Sequence, residues 1–256
     1  MISIIFPTKN RVNNLKELFD SLNETIYDFQ NVEVILYVDH DDPVTLDFVK
    51  SGLDKHIGHI TTSVTVGREK VQLGETYNRA YKKAKGDIIM FAADDVRFRT
   101  KNWDKIIKQE YDRYEDKIAL VFGPDGIQPN GTLATHGFVS RKAVEAIGYV
   151  CPGGMGYNYS DNWLTDIYRK IKRLVYVPVY FEHAHWGVGK AEYDETYRTG
   201  SDAPHPDSLE LWQKGEAERD KAVAILEKLK LPGDKSCGNP EGNAHKFINV
   251  NNYIMP

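Results

Sequence analysis

The segment Gly86–Asp87–Ile88–Ile89–Met90–Phe91–Ala92–Ala93–Asp94–Asp95 decides how this chain is read. A Gly-Asp turn leads into an apolar run, Ile88 to Ala92, with the length of a strand buried on both faces. The run stops at two adjacent carboxylates. In an open α/β sheet, ligands bind beyond the carboxyl ends of the strands, where Asp94 and Asp95 fall. Two carboxylates there repel each other and lose hydration unless a cation compensates them. A carboxylate after a strand also suits a turn or a helix cap, so this segment alone leaves both readings open.

Upstream, the same pattern repeats. Ile2 to Phe6 reads as a buried strand broken by Pro7, followed by the polar loop Thr8–Lys9–Asn10–Arg11. Asn13 then opens a helix through Leu15, Leu18, Phe19 and Leu22. Val32 to Val38 is a second strand, ending in Asp39–His40–Asp41–Asp42–Pro43. Asp42 and Pro43 suit the cap and first turn of a helix, whereas Asp39 stands directly at the strand end. Val64 to Val66 forms a third short strand, then Gly67 and Arg68, then a helix from Glu75 to Lys85. Alternating strands and helices predict a parallel, doubly wound α/β sheet.

Downstream, Trp103 to Tyr114 is a helix whose aromatic residues fall on the core face, and Ile118 to Phe122 is a strand. Phe138 to Lys142 precedes a short helix ending at Gly148. The glycine-rich stretch Cys151–Pro152–Gly153–Gly154–Met155–Gly156 reads as a mobile loop over a site. A helix from Trp163 to Arg173 follows, opened by Ser160–Asp161. Leu174 to Phe181 reads as one strand running into Glu182–His183–Ala184–His185. One amphipathic helix is expected from Pro206 to Pro232–Gly233, and residues 233–256 as a surface tail. No repeat or linker marks a second domain. The expected division is one domain over residues 1–205, in halves of about 1–100 and 101–205, with residues 206–256 packed on it.

The composition narrows the class. The 256 residues are 41% hydrophobic and carry a net charge of −4, so no global basic field recruits nucleic acid. Cys151 and Cys237 are the only cysteines, which argues against a disulfide framework. The start of the chain lacks the basic flank of a signal sequence, and no apolar run approaches the ~20 residues that span a bilayer. The expectation is a cytoplasmic protein without membrane insertion.

Chemistry-bearing residues collect after the strands. His183 and His185 are two apart, so on an extended strand both face one side and can approach one cation. Imidazole accepts Mn²⁺ or Zn²⁺, and carboxylates suit Mg²⁺ as well. Asp161 reads either as a helix cap or as a general base in reach of an acceptor hydroxyl. His136 and Trp186 are candidate acceptor contacts or core residues.

Taken together, the chain resembles the GT-A fold glycosyltransferases, in particular the large family-2 type. Ile2–Ser3–Ile4–Ile5–Phe6–Pro7–Thr8–Lys9–Asn10–Arg11 is similar to that family's first strand and nucleotide loop. Val38–Asp39–His40–Asp41–Asp42 stands at its second acidic motif. Gly74 to Asn78, Ala80 and Ala84 to Asp87 echo the helix entering its central strand. Phe91–Ala92–Ala93–Asp94–Asp95 stands at the Asp-x-Asp metal motif, with Ala93 in place of the first Asp. Ser160–Asp161–Asn162–Trp163–Leu164 resembles the motif that supplies the base in inverting members, with Ser160 where Glu is common.

The resemblance implies a GT-A (Rossmann-like) single domain whose mostly parallel central sheet is flanked by helices, with a C-terminal helix and tail. It also implies transfer of a sugar from a nucleotide-diphosphate donor, foremost a UDP-sugar, to an acceptor hydroxyl with inversion. Asp95 with His183 or His185 would hold Mn²⁺ or Mg²⁺. Pro7, Thr8, Asn10, Arg11, Asp39, Arg68 and Asp94 would hold the nucleotide, and Asp161 would be the base. The acceptor stays open among a glycan, a lipid-linked sugar, a protein and a modified nucleic-acid base. Two rivals remain: a metal-dependent phosphohydrolase using the Asp pair and His-x-His, and a non-catalytic nucleotide- or sugar-binding module.

Overall fold

The structure, a computed structural model, describes residues 1–129, 131–201 and 205–231. The chain opens with β1 (Ile2–Thr8), α1 (Val12–Thr25), β2 (Val32–Val38), α2 (Pro43–Ser51), β3 (Thr61–Val66) and α3 (Leu73–Tyr81). Then come β4 (Ile88–Phe91), β5 (Val96–Phe98), α4 (Trp103–Asp112), β6 (Leu120–Phe122), β7 (Gly137–Ser140) and α5 (Arg141–Ile147). It closes with α6 (Ser160–Lys170), β8 (Leu174–Tyr176), β9 (Phe181–His183), α7 (Pro206–Lys214) and α8 (Glu216–Leu229).

Seven strands form one sheet in the order β3-β2-β1-β4-β7-β6-β8, and β5 pairs with β9 in a separate two-stranded ribbon. The large sheet is mostly parallel, with β7 antiparallel to both β4 and β6. Alternate side chains of the central strands enter two cores. Ile2, Ile4 and Phe6 meet Leu15, Leu18 and Phe19 of α1 and Trp103 and Ile107 of α4. Ile5, Ile35 and Ile89 face the other way, toward Tyr77 of α3, Trp163 and Ile167 of α6 and Leu226 of α8. A sheet covered on both faces needs strands apolar on both sides, which is why these segments read as continuous hydrophobic runs. Among the described residues, no helix is long and apolar enough to cross a membrane.

Topology sets the position of the site. The chain steps from β1 outward to β2 and β3, then returns to place β4 on the other side of β1. Between β1 and β4 the winding reverses, and the crevice at such a switch point is where doubly wound sheets bind ligands. A buried polar knot fixes β4 at its opposite end. Ser3 donates to Glu33 at 2.6 Å, Lys85 N–H donates to the same carboxylate at 2.5 Å, and Gly86 N–H donates to Ser3 Oγ at 2.7 Å. A Cβ at Gly86 would stand 2.6 Å from Ser3 Oγ, so this close approach requires glycine.

Several boundaries differ from the sequence reading. β1 runs through Pro7 to Thr8, because β4 pairs with β1 only as far as Ile5 and position 7 is flanked by β2 alone. A proline is tolerated at such an effective edge. The regular part of α3 is shorter than expected and continues to Ala84 as turns. The segment from Leu174 to Phe181 is two strands in two sheets, parted at Pro178. The expected single C-terminal helix is α7 and α8, broken at Gly215, where a Cβ would lie 2.4 Å from the Trp163 ring. The tail at 233–256 lies outside the described residues.

The glycine-rich stretch expected to be mobile is fastened to α3. Asn78 receives Val150 N–H at 2.9 Å and donates to the Cys151 carbonyl at 2.8 Å, and Gly74 N–H donates to the Met155 carbonyl at 2.8 Å. Close packing holds the two together: a Cβ on Gly74 of α3 would stand 1.9 Å from the Pro152 carbonyl oxygen, and one on Gly156 2.6 Å from Ser208 Oγ. Gly74→Ala is therefore expected to destabilise the fold by about 2–3 kcal/mol through backbone displacement, read as a lower urea midpoint at unchanged m-value.

Candidate functional site

At the switch point, β1 supplies Thr8 and the following turn supplies Arg11, while the turn after β4 carries Asp94 and Asp95. Thr8 Oγ1 donates to Asp94 at 2.8 Å, and the Arg11 guanidinium donates to the other Asp94 oxygen at 3.0 Å. Arg11 also lies 3.6 Å from Asp95. All four side chains are buried. The left-handed turn at Asn10 (φ 55°) is held by Asn10 N–H on Asp42, whose other oxygen caps α2 as expected. Behind the pair, Tyr77 donates to the Ala92 carbonyl at 2.8 Å and buried Arg97 donates to the Asp94 carbonyl at 3.1 Å. The backbone that carries both carboxylates is thus fixed from two sides.

The second half of the chain reaches Asp95 through the β5–β9 ribbon. Val96 pairs with His183, and Ala184 N–H donates to the Asp95 carbonyl at 2.8 Å. That register sets His183 Nε2 3.4 Å from Asp95 Oδ1. His185 does not join it. β9 ends at His183, so the same-face rule of a strand no longer applies, and His185 Nδ1 accepts Gly187 N–H at 3.1 Å. The His185 ring stands against His183 and Tyr197 instead.

Four residues that sequence reasoning did not place complete the cluster. Asp125, in the turn after β6, is buried and accepts Ile127 and Gln128 N–H with one oxygen, leaving the other without a hydrogen bond. His136 is buried edge-on to His183, so it serves this cluster rather than an exposed acceptor surface. Asp194 takes the free side of Arg11 as a two-pronged ion pair at 2.7 and 3.0 Å. Tyr197 donates to Asp95 Oδ2 at 2.8 Å. Gly123–Pro124–Asp125–Gly126 marks Asp125 only as turn chemistry, His136 reads as an acceptor contact or a core residue, and nothing local marks Asp194 and Tyr197.

Asp161 lies in the first turn of α6 and is partly buried. It is not the cap it resembled: Tyr159 holds the cap position, and the Asp161 carboxylate accepts the adjacent Asn162 N–H at 2.9 Å. Asp39 sits at the end of β2, 3.2 Å from Lys9. Arg68 is exposed on the turn after β3, at the rim, while Gly67 N–H ties that turn to the Val38 carbonyl at 2.9 Å. Pro7 is integrated in β1.

The electrostatics follow from burial. Desolvation opposes ionisation of Asp95, but the adjacent His183 imidazole and the Arg11 charge outweigh it and hold Asp95 below the usual range. Burial pushes Asp94 up against the pull of Arg11. Burial pushes Asp161 up to about 6 with little compensation. His136 drops to about 3, first by burial and then by the neighbouring His183. His183 is raised, the carboxylates of Asp95, Asp125 and Asp161 overcoming its own burial.

The donor set suits a hard divalent cation. Asp95 Oδ1 is a buried carboxylate oxygen without a hydrogen-bond donor, and it faces an imidazole nitrogen. Adjacent ligands of an ion bound at ~2.1 Å lie roughly 3 Å apart, compatible with that spacing. Among the described residues, no group of three His, Cys, Asp or Glu closes around one ion. Two protein ligands accord with ions such as Mg²⁺, which fill their remaining positions with water and substrate phosphates. A site for two bridged ions, as the phosphohydrolase reading requires, calls for more carboxylates than this.

An open sheet with an acidic pair at its switch point, reached from the second half by an imidazole on a short ribbon, defines the GT-A class of α/β fold. The model of glycosyl transferase family 2 matches residues 3–198, and the chain belongs to that family. No curated protein matches it. Among solved structures, residues 1–349 of S. aureus TarS with UDP-GlcNAc align with a TM-score of 0.63 at 18% identity, covering 89% of this chain and 72% of that one. The mannosyltransferase PcManGT of Pyrobaculum calidifontis, with GDP-Man and Mn²⁺, gives 0.56 at 15%, covering 89% and 73%. The catalytic domain of Drosophila β1,4-galactosyltransferase 7, with xylobiose, gives 0.50 at 10%, covering 83% and 79%. These likenesses concern the fold, and the alignment covers only 37% of a longer S. aureus TarS chain.

A raised carboxylate costs stability once it must ionise. With Asp161 near 6 folded and near 4 unfolded, the unfolded chain loses its proton first as pH rises, so that cost grows between those values and is complete above about 6. Asp161→Asn is expected to stabilise the fold by about 1–2 kcal/mol at pH 8, with the gain vanishing near pH 4, as read by thermal melts at both values.

Proposed function

We propose that this chain is a divalent-cation-dependent, inverting glycosyltransferase that moves a sugar from a nucleoside-diphosphate donor, foremost a UDP-sugar, to an acceptor hydroxyl. The observation that carries this reading is the meeting of Asp95 and His183 at the switch point, where the buried Asp95 oxygen that faces the imidazole accepts no hydrogen bond. Family membership and the UDP-GlcNAc and GDP-Man complexes of its structural neighbours support it.

Asp95 and His183 would hold Mn²⁺ or Mg²⁺. Such an ion, when bound, stabilises the negative charge that gathers on a departing diphosphate. Asp39, at the end of β2, and the loop from Pro7 through Thr8 and Asn10 would hold base and ribose, with Arg68 at the rim. Arg11 anchors Asp94, which would face the ribose. Asp161 would accept the proton of the acceptor hydroxyl as that oxygen bonds to the anomeric carbon and the bond from that carbon to the diphosphate oxygen breaks. A carboxylate held near 6 is ionised at neutral pH yet basic enough to share that proton. Attack from the side opposite the diphosphate inverts the anomeric centre.

A thermal-shift panel of UDP, GDP, CDP, ADP and dTDP with and without Mn²⁺ tests the donor side. One nucleotide should stabilise the fold only with the metal, by ~2.7 kcal/mol at a hundred times its dissociation constant, and lose that effect in Asp95→Ala. A response to metal alone favours the phosphohydrolase. With donor and acceptor in hand, Asp161→Asn should keep nucleotide binding and lose on the order of a hundredfold or more in kcat. Wild-type kcat should rise with pH through about 6 to a plateau. Donor binding without turnover, unchanged by Asp161→Asn, marks a binding module.

A further inference from the structure

Residues 193–197 cross the mouth of the acidic site and touch it at two points. Asp194 closes a two-pronged ion pair on Arg11, and its Oδ1 also accepts Tyr197 N–H at 3.0 Å. Tyr197 is itself buried, its hydroxyl donating to Asp95 Oδ2 at 2.8 Å while its ring lies under the Arg11 guanidinium, 4.2 Å from the ring centre. Thr196 donates to the Lys9 carbonyl at 3.4 Å, fastening the segment to the loop after β1. The sequence reading assigned no role to this stretch.

The charges in this corner explain why these contacts matter. Arg11 meets three carboxylates: Asp94, Asp95 and Asp194. Asp94 and Asp194 occupy its donors at 2.7–3.0 Å, and Asp95 stands off at 3.6 Å. Without Asp194, the guanidinium would be free to turn its fork onto Asp95 and neutralise it. Tyr197 acts on the same carboxylate from its other side. By donating to Oδ2 it fixes the carboxylate plane, so that Oδ1 is the oxygen directed at His183 and left without a donor.

We propose that Tyr197 and Asp194 are positioning residues for the cation: Tyr197 orients Asp95, and Asp194 keeps Arg11 from pairing with it. This rests on the reading of Asp95 and His183 as cation ligands. Losing a hydrogen bond behind a ligating carboxylate typically costs about 10–100-fold in metal affinity.

Mn²⁺ binding to the full chain in saturating UDP, read from the electron-spin resonance of free Mn²⁺, tests the idea without turnover. Tyr197→Phe keeps the ring beneath Arg11 and removes only the hydroxyl; it should weaken Mn²⁺ binding by about tenfold. Asp194→Asn, which keeps the shape and removes the charge, should weaken it in the same direction and speed amide exchange across 193–197. Mn²⁺ binding within twofold of wild type in both variants, with wild type binding, overturns this inference and leaves the ligand assignment standing. No Mn²⁺ binding by wild type itself overturns the ligand assignment, and this inference with it. Loss confined to the melting temperature, with Mn²⁺ affinity unchanged, makes both residues structural only and also overturns it.

Discussion

Burying two neighbouring carboxylates is the constraint around which this fold is arranged. Asp94 and Asp95 lie almost wholly out of water, and an ionised carboxylate so placed costs several kcal/mol unless it is paired and hydrogen-bonded. The two are compensated differently. Asp94 is closed off by Thr8 and Arg11, whereas Asp95 has Tyr197 on one oxygen and His183 facing the other. One member is therefore spent on the architecture and the other stays chemically open. Removing Arg11 would strand Asp94, the kind of loss that costs about 3–5 kcal/mol in a buried pair. On the proposed reading, this asymmetry lets Asp95 serve a cation although Ala93 stands in place of the first aspartate of the Asp-x-Asp pattern.

Two scaffolds of different kinds converge there. The large sheet fixes Thr8 and Asp94 relative to each other through continuous parallel pairing, from Ile2↔Ile88 to Ile5↔Phe91. The ribbon of β5 and β9 is only three residues long on each side, and it sets the relation of Asp95 to His183. His183 N–H also donates to the Asp125 carbonyl at 2.9 Å, so the imidazole is anchored to the turn after β6 as well. Phe98, Trp103, Phe138 and Phe181 pack ring against ring beneath the ribbon, joining it to the main core. This aromatic packing gives so short a ribbon a fixed position.

The parts of this arrangement that were legible in the sequence are those governed by local rules. Apolar runs revealed β1, β2 and β4, the carboxylates after the last two placed Asp39, Asp94 and Asp95 just beyond the strands, and the Asp42–Pro43 cap of α2 followed from its two residues. What was illegible depends on register between distant segments. His183 and His185 looked equivalent because alternation holds only while a strand lasts, and β9 stops between them. Asp194 and Tyr197 belong to an irregular stretch whose partners lie 183 and 102 residues away in the chain. The glycines of 153–156 misled for a related reason: glycine permits close packing as readily as motion, and the distinction lies in Asn78 and Gly74 of another element.

The long reach of these contacts bears on how the protein is made. Synthesis delivers the switch point early, since β1 to β4 complete by residue 91. The imidazole arrives only at residue 183, and the tyrosine that donates to Asp95 at 197. Loop closure over such spans is slow relative to local structure. A growing chain therefore has the partners of Asp94 at once, in Thr8 and Arg11, but must extend by about a hundred residues before those of Asp95 follow. The last segment to dock would supply the last of these, making completion of the site a late step in maturation.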